Sequence, residues 1–449
     1  MDIVRPIIKC FTYDFFTRRD GIDVRPYRAT LHQSQYFSSD ELAALQLRKL
    51  KELLAYCHHH NPYYRQRFDA CGFQVGDLED LSTLSQLPIL TKDDIRETSD
   101  NLFSDDFTRE HTAHKRTGGS TGVPLHNYWD WPAASFKRAG TQRHNAWAHL
   151  VPGVRTAAVW GDTDKPQPLR ARVRNSLADR IFYLDTLKFD AEHIETFLRE
   201  ISRRRPEVLM GHAHSVYKLA EYVYENGVGR VAFDSIITTA MVLTATERTT
   251  IESVFDSPVF DRYGCEEIGM IASECDGHQG KHVFAEGLYV EVIGDSGNMP
   301  GELIVTDLVN YAMPMIRYQI GDYGTFATGD CPCGRGLPRL AEVSGRTADF
   351  LYTPDKMPVF GISILDTFVI HIPGLKQLQI VQDLYDHLDF YIVKGSDFSE
   401  DTMQLLKTNV IEIFGPNMRY DAHLVDRISQ TEAGKFRFSI CNINHGDKP

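Results

Sequence analysis

The sequence predicts an α/β protein in two unequal parts, a large multi-layer α/β N-terminal domain followed by a small α+β C-terminal domain. Three observations carry this. From residue 155 onward, apolar runs of strand length alternate with helical stretches, the pattern of α/β layers with substantial parallel pairing. From residue 283 the texture changes to strands separated by turn residues. The chain has 449 residues, more than one hydrophobic core usually serves, and a long tail follows the polar hinge at Ser344-Gly345-Arg346. The expected division is 1–345 and 346–449, with residues 1–105 helical.

Each element has a local reason. Residues 39–60 return Leu42, Leu45, Leu47, Leu50, Leu53 and Leu54 near helical spacing, with Ser39 as cap and a break at His60-Asn61-Pro62. Thr91-Lys92-Asp93-Asp94 opens a short helix after Pro88-Ile89-Leu90. Strands are expected at 156–160, 207–210 and 235–239, and helices at 190–204, 214–227 and 244–254. Residues 283–293 and 302–308 form a hairpin around the turn-rich stretch 294–301. The tail carries strands at 378–381 and 388–393 and a helix at 400–414.

Composition narrows the function classes. With 42% hydrophobic and 24% charged residues, disordered and fibrous proteins are excluded. A net charge of −13 argues against broad nucleic-acid or anionic-membrane binding. No apolar run is long enough to span a bilayer, so no membrane association is expected. Asp2, Arg5, Pro6, Lys9 and Asp14 interrupt the opening stretch, which fails as a secretory signal. Eight cysteines are too dilute for a disulfide scaffold, and reduced thiols in the cytoplasm are expected. The chain shows no internal repeat and no low-complexity tract.

The most informative stretch is Lys115-Arg116-Thr117-Gly118-Gly119-Ser120-Thr121-Gly122-Val123-Pro124. Glycines allow close backbone approach, hydroxyls and N–H groups wrap an oxyanion, and the two cations add charge. It is not a Walker loop, since no Gly-Lys-Ser/Thr follows. A plain surface turn is the alternative, but three companions weigh against it. Asp261-Arg262-Tyr263-Gly264-Cys265-Glu266-Glu267 offers an aromatic face for a base and carboxylates for Mg²⁺. Arg317-Tyr318-Gln319-Ile320-Gly321-Asp322 ends a strand with an acid suited to a ribose. Glu432-Ala433-Gly434-Lys435 sets a lysine after a glycine turn near the C-terminus.

In this order the motifs resemble those of the adenylate-forming (ANL) superfamily, in the branch of phenylacetate–CoA ligase, coenzyme F390 synthetase and CapK-like proteins. Asn61-Pro62-Tyr63-Tyr64-Arg65 and Leu87-Pro88-Ile89-Leu90-Thr91-Lys92 resemble that branch's N-terminal signature, and the resemblance covers nearly the whole chain. It implies an N-terminal domain of the family's type, a mobile C-terminal lid, and an AMP-forming acid ligase. Such an enzyme joins a carboxylic acid to ATP as an acyl-adenylate, releases pyrophosphate, and passes the acyl group to an acceptor. CoA is the expected acceptor; an amine or hydroxyl compound, or transfer of AMP itself, is the alternative. The chain would act as monomer or homodimer. A relative that has lost catalysis is disfavoured by Glu267, Asp322 and Lys435.

By motif matching, the resemblance implies that Thr117, Gly118, Gly119, Ser120, Thr121 and Gly122 cradle the phosphates. Ala240 and Met241 would border the adenine beside Tyr263 and Gly264; Glu267 would hold Mg²⁺, Asp322 the ribose, and Arg346 the nucleotide near the hinge. Lys435 would offset charge developing between the carboxylate and the α-phosphate, making Lys435 and Glu267 the catalytic pair. The chain departs from the family pattern at Glu266 (usually a hydroxyl residue), at Leu125, at Ala348, and in 351–361, where CoA ligases usually carry a glycine loop. Trp129, Trp131, Phe136, Trp160 and His212 to His214 are candidates for the acid pocket, and the acid is expected to be aromatic or otherwise small.

Cys275, His278 and His282 form C-x2-H-x3-H, and Cys331-Pro332-Cys333 forms C-x-C. Thiolates and imidazoles suit a closed structural Zn²⁺ site that would staple region 275–335, with Cys275, His282, Cys331 and Cys333 as ligands and His278 as an alternative. Cys10, Cys57, Cys71 and Cys441 read as small packing groups, and Cys265 as part of the nucleotide motif. His58-His59-His60 reads as a solvated helix end, and Arg203-Arg204-Arg205 as a positive helix C-terminus.

Overall fold

The computed structural model describes residues 12–117, 125–161, 168–294, 300–344, 351–359, 364, 367–368, 372–395, 397–428 and 439–443. The N-terminal region is helical, with α1 (Tyr13–Arg19), α2 (Arg25–Ser34), α3 (Ser39–His60), α4 (Pro62–Cys71) and α5 (Lys92–Thr98). α3 starts as its leucines require, but Ser38 rather than Ser39 caps it. Ser38 has extended backbone, its hydroxyl accepts the Glu41 N–H at 3.3 Å, and the Glu41 carboxylate accepts the Ser38 N–H at 2.8 Å. Thr91 and Asp94 make the same reciprocal box at α5.

β1 (Ala113–Thr117) and β2 (Leu125–Trp129) form an antiparallel hairpin, and α6 (Trp131–Trp147) follows. Then strands and helices alternate: β3 (Thr156–Trp160), α7 (Leu169–Arg174), β4 (Ile181–Asp185), α8 (Ala191–Arg204), β5 (Val208–His212), α9 (Ala213–Glu225), β6 (Ser235–Thr239), α10 (Ala245–Phe255) and β7 (Val259–Cys265). Six antiparallel strands continue the sheet: β8 (Gly269–Glu274), β9 (Lys281–Val283), β10 (Leu288–Ile293), β11 (Gly301–Asp307), β12 (Tyr318–Phe326) and β13 (Arg339–Ser344). The strand order is β10-β11-β12-β13-β9-β8-β7-β6-β5-β3-β4, in which β4, β3, β5, β6 and β7 pair in parallel. The expected hairpin is β10–β11, but 283–293 is not one strand. A turn at Phe284–Gly287, closed by Gly287 N–H to Phe284 O at 3.0 Å, buries the Phe284 ring and separates β9 from β10.

The C-terminal region begins with β14 (Leu351–Tyr352) and β15 (Pro358–Val359), followed by β16 (Leu375–Leu384), β17 (His387–Lys394), α11 (Glu400–Phe414), β18 (Arg419–Leu424) and β19 (Ser439–Cys441). Its four-stranded sheet runs β18-β17-β16-β19. Leu378, Ile380, Leu388, Phe390 and Ile392 alternate onto the face that meets Leu406, Val410 and Phe414, giving this region its own core. The chain is thus a large α/β assembly with a smaller α+β region at its end. No helix among the described residues is long and apolar enough to cross a membrane.

Candidate active site

A cavity of about 1390 Å³ opens where the parallel strands end, lined by Trp160 at the end of β3, His212 at the end of β5, Thr239 to Leu243 from the end of β6 onward, and Tyr263 to Glu267 at the end of β7. Open α/β sheets put ligands at these carboxyl ends, because the loops there are free to diverge while the strands hold their roots.

One wall holds the motif residues. Tyr263 donates its hydroxyl proton to Asp322 Oδ2 at 2.8 Å, joining β7 to β12. At Gly264 a Cβ would stand 2.5 Å from the Gly269 carbonyl oxygen, so only glycine lets β7 and β8 close at their bulge. Ala240 takes a positive φ of 66°, a strained turn directly after β6. Glu267 is buried; Tyr318 Oη lies 3.3 Å from its Oε1 and the Lys92 ammonium 3.6 Å from the same oxygen. Its backbone is held as firmly: Asn127 Nδ2 and Trp129 Nε1 donate to the Glu267 carbonyl, and Lys137 Nζ donates to the Ile268 carbonyl at 2.7 Å. The strand leaving the glycine loop therefore fixes the peptide that presents Glu267.

The opposite wall is polar in a way the motifs did not announce. α6 turns Arg138, Thr141, Gln142 and Asn145 to the cavity at i, i+3, i+4 and i+7. Arg262, half-buried on β7, donates to Asn145 Oδ1 at 3.1 Å, and burial lowers its pKa below the ordinary guanidinium value. Arg138 and Asn145 were missed because the helix was read for its aromatics; the polar residues at helical spacing were the available signal. His212 packs against Trp160 with ring centroids 4.3 Å apart, and burial lowers its pKa to about 4, so the imidazole is neutral.

Of the expected site residues, Ala240, Met241, Tyr263, Gly264, Glu267 and Asp322 all line this one cavity, as do Cys265 and Glu266. Thr117 ends β1 at the stem of the glycine loop. Gly118, Gly119, Ser120, Thr121, Gly122, Arg346, Ala348 and Lys435 lie outside the described residues. Trp129, Trp160 and His212 line the cavity. Trp131, Phe136 and His214 are not among its lining residues: Trp131 lies against Gly21, Phe136 stacks on Phe284 at 5.4 Å, and His214 pairs with the Glu247 carboxylate. Apolar packing against Phe284 and Tyr27 claims the Phe136 ring, whereas Trp131 is exposed beside Gly21.

A second constellation lies apart from this cavity. The ligand atoms of Cys275, His282, Cys331 and Cys333 all fall within 4.8 Å of one another. Cys275 Sγ is 3.7 Å from Cys331 Sγ, and Cys333 Sγ is 3.3 Å from His282 Nε2. His282 Nδ1 lies 3.0 Å from the Leu337 carbonyl, which leaves Nε2 with its lone pair toward the thiols, and burial lowers its pKa to about 4. Three thiols and one oriented imidazole are a tetrahedral Zn²⁺ donor set. His278 is turned elsewhere, 3.4 Å from Glu274 and against the Phe260 ring.

The remaining candidates behave as ordinary side chains. His60 pairs with Asp106 at 2.8 Å, and Arg203 and Arg204 both bind Glu200. Cys57 is buried, but Cys71 is exposed and packs nothing, because it falls on the outer face of the last turn of α4. Cys10 lies outside the described residues.

A family model described as the CapK C-terminal domain matches residues 351–442. Protein CapK of Staphylococcus aureus is 25% identical over 411 residues, covering 90% of each chain. The phenylacetate-coenzyme A ligase of Thermus thermophilus is 27% identical over 339 residues, covering 70% of this chain and 72% of its own. Among solved structures, 2-hydroxyisobutyryl-CoA ligase in complex with 2-HIB-AMP and CoA has a TM-score of 0.59 at 18% identity, covering 90% of this chain and 91% of that one. The fold, the ordered motifs meeting in one cavity and these likenesses agree: the chain belongs to the adenylate-forming superfamily, in the branch of CapK and the phenylacetate–CoA ligases.

Proposed function

We propose that this chain uses MgATP to activate a carboxylic acid as its acyl-adenylate and then passes the acyl group to CoA. A carboxylate oxygen attacks the α-phosphorus, the bond from that phosphorus to the bridging oxygen breaks, and pyrophosphate leaves with the electron pair. Such a displacement asks the protein mainly for alignment and charge stabilisation. The observation that supports the reading best is the meeting of Tyr263, Asp322 and Glu267 at one cavity beside the strained turn at Ala240.

The residues divide the work as follows. The Tyr263 ring and the backbone at 240–241 border the base, and Asp322, oriented by the Tyr263 hydroxyl, accepts the ribose hydroxyls through its other oxygen. Glu267, placed by Tyr318 and Lys92, would hold Mg²⁺ with its carboxylate and so offset charge on the phosphates. The loop 117–122 wraps the phosphates. Lys435, carried on a lid comprising 346–449, arrives for adenylation and withdraws for thioester formation, with Arg346 at the hinge of the body 1–345. Cys275, His282, Cys331 and Cys333 hold one structural Zn²⁺ that staples the antiparallel strands; four protein ligands leave no open position for catalysis.

Pyrophosphate release with MgATP across a panel of acids tests the first step, and thioester formation on adding CoA tests the second. Lys435→Ala is expected to abolish adenylate formation while ATP still binds; parental turnover by that variant would refute the mechanism.

A further inference from the structure

The acids and cations that line the cavity are not all paired with one another. Asp261 is held by Lys281 at 3.0 Å and by the Thr238 hydroxyl at 3.0 Å. Glu274 is held by Arg248 at 2.7 Å, Asp179 by Arg174 at 3.0 Å, and Glu267 faces Lys92. Each of these carboxylates has its own cation. On the α6 side two cations remain: among the described residues Arg138 has no carboxylate partner, and the Arg262 side chain has only the Asn145 amide oxygen at 3.1 Å. Asp261, which Lys281 already holds, favours the charge of Arg262, and Arg138 acts unfavourably on it. Burying the Arg262 guanidinium with one amide hydrogen bond and a carboxylate shared with Lys281 is costly unless a further anion completes the set. Guanidiniums are also the groups best shaped for a bidentate oxyanion.

Strand alternation says which ligand brings the anion. On β7, Tyr263 turns toward Asp322, so its neighbour Arg262 turns to the other side, where it meets α6 and Asn145. The arginine pair therefore sits away from the ribose and metal carboxylates, in the part of the cavity left for the acid.

We propose that the acid activated here carries a second anionic group, a carboxylate, phosphonate or sulfonate remote from the reacting carboxyl, and that Arg138 and Arg262 bind it. This rests on the adenylating function above and gives its substrate class, narrowing the expectation of an aromatic or otherwise small acid to one with a second anionic group.

The test is pyrophosphate release with MgATP and no CoA, comparing succinate, glutarate, 4-phosphonobutyrate and 4-sulfobutyrate with butyrate and valerate. At least one dianionic acid is expected to exceed its singly charged counterpart by about 30-fold in kcat/KM, the scale of a charge-assisted hydrogen-bonded pair. Arg262→Gln is expected to collapse that ratio by raising the KM for the acid much more than the KM for ATP, with Arg262→Lys partly restoring it. Arg138→Gln, at an exposed position on the cavity face, repeats the measurement without risk to folding. A parent enzyme with no preference for dianions, or a preference untouched by both substitutions, overturns the proposal. If Arg262→Gln instead raises the KM for ATP, the anion belongs to the nucleotide and the proposal falls equally. If no acid releases pyrophosphate, calorimetric binding of the same acids to the AMP-loaded protein reads the preference directly, and no preference there also overturns it. The function itself fails on a separate observation, MgATP neither binding nor yielding pyrophosphate with any acid.

Discussion

The two sides of the cavity are built on opposite principles. On the side proposed for the nucleotide the key groups are already engaged: Asp322 by Tyr263, Glu267 by Tyr318 and Lys92, and the Glu267 peptide by Asn127 and Trp129. On the side proposed for the acid, Arg262 has one hydrogen bond, to an amide, beside Asp261, and Arg138 stands without a carboxylate partner among the described residues. A ligand common to a whole superfamily is met by a pre-organised surface, which loses little freedom on binding. A ligand particular to one enzyme is met by a few charges on a helix and a strand, which can change without disturbing the fold.

The contrast can be broken experimentally. Its strongest test is Glu267→Gln, which removes a metal-binding charge from the organised side; adenylation should fall by about 10²- to 10³-fold, read as pyrophosphate release at saturating Mg²⁺. An effect below tenfold would mean that the metal is held elsewhere. Next comes the scaffold behind that side. Cys331→Ser should remove about one equivalent of Zn²⁺ and lower unfolding stability by about 3 kcal/mol, measured by metal analysis and denaturant titration; a metal-free parent of unchanged stability after chelation would end the zinc assignment.

A comparable effect is expected from pH. His212 is neutral and buried, its pKa lowered from the usual value to about 4. A group depressed in the folded state contributes stability above its unfolded pKa, near 6.5, and loses it as pH falls toward the folded value. Unfolding free energy should drop by about 3 kcal/mol between pH 7 and pH 4 on this account, and His212→Phe should flatten that part of the profile. An unchanged slope would show that the residue is already protonated in the fold. The smallest effect sharpens the organised side itself. Tyr263→Phe keeps the ring and removes the donor to Asp322, so the KM for ATP should rise by about fivefold with kcat little altered.

Legibility followed the same division. Tyr263, Glu267 and Asp322 could be named in advance because each sits in a short run whose residue types and order are tied to one ligand. The capped leucine helix α3 and the β/α alternation after residue 155 were visible for a different reason, since hydrophobic periodicity repeats locally. What failed were the readings of single aromatics and of one strand boundary, which turn on what packs beside them. Phe136 and Trp131 have the composition of an acid pocket, yet Tyr27 and Phe284 take the first and the second is exposed beside Gly21. The break between β9 and β10 at Phe284 was hidden within a run of apparent strand residues.

By itself, the sequence determined the family, the sequence of layers and a set of motif residues that share one cavity, because those depend on local spacing and on residue types that recur together. Only the tertiary structure decided which of two histidines turns to the three thiols, which aromatics reach the cavity, and that two arginines 124 positions apart in number line the same cavity. Such facts depend on where strands and helices cross, and burial assigns each charge a partner or leaves it one short.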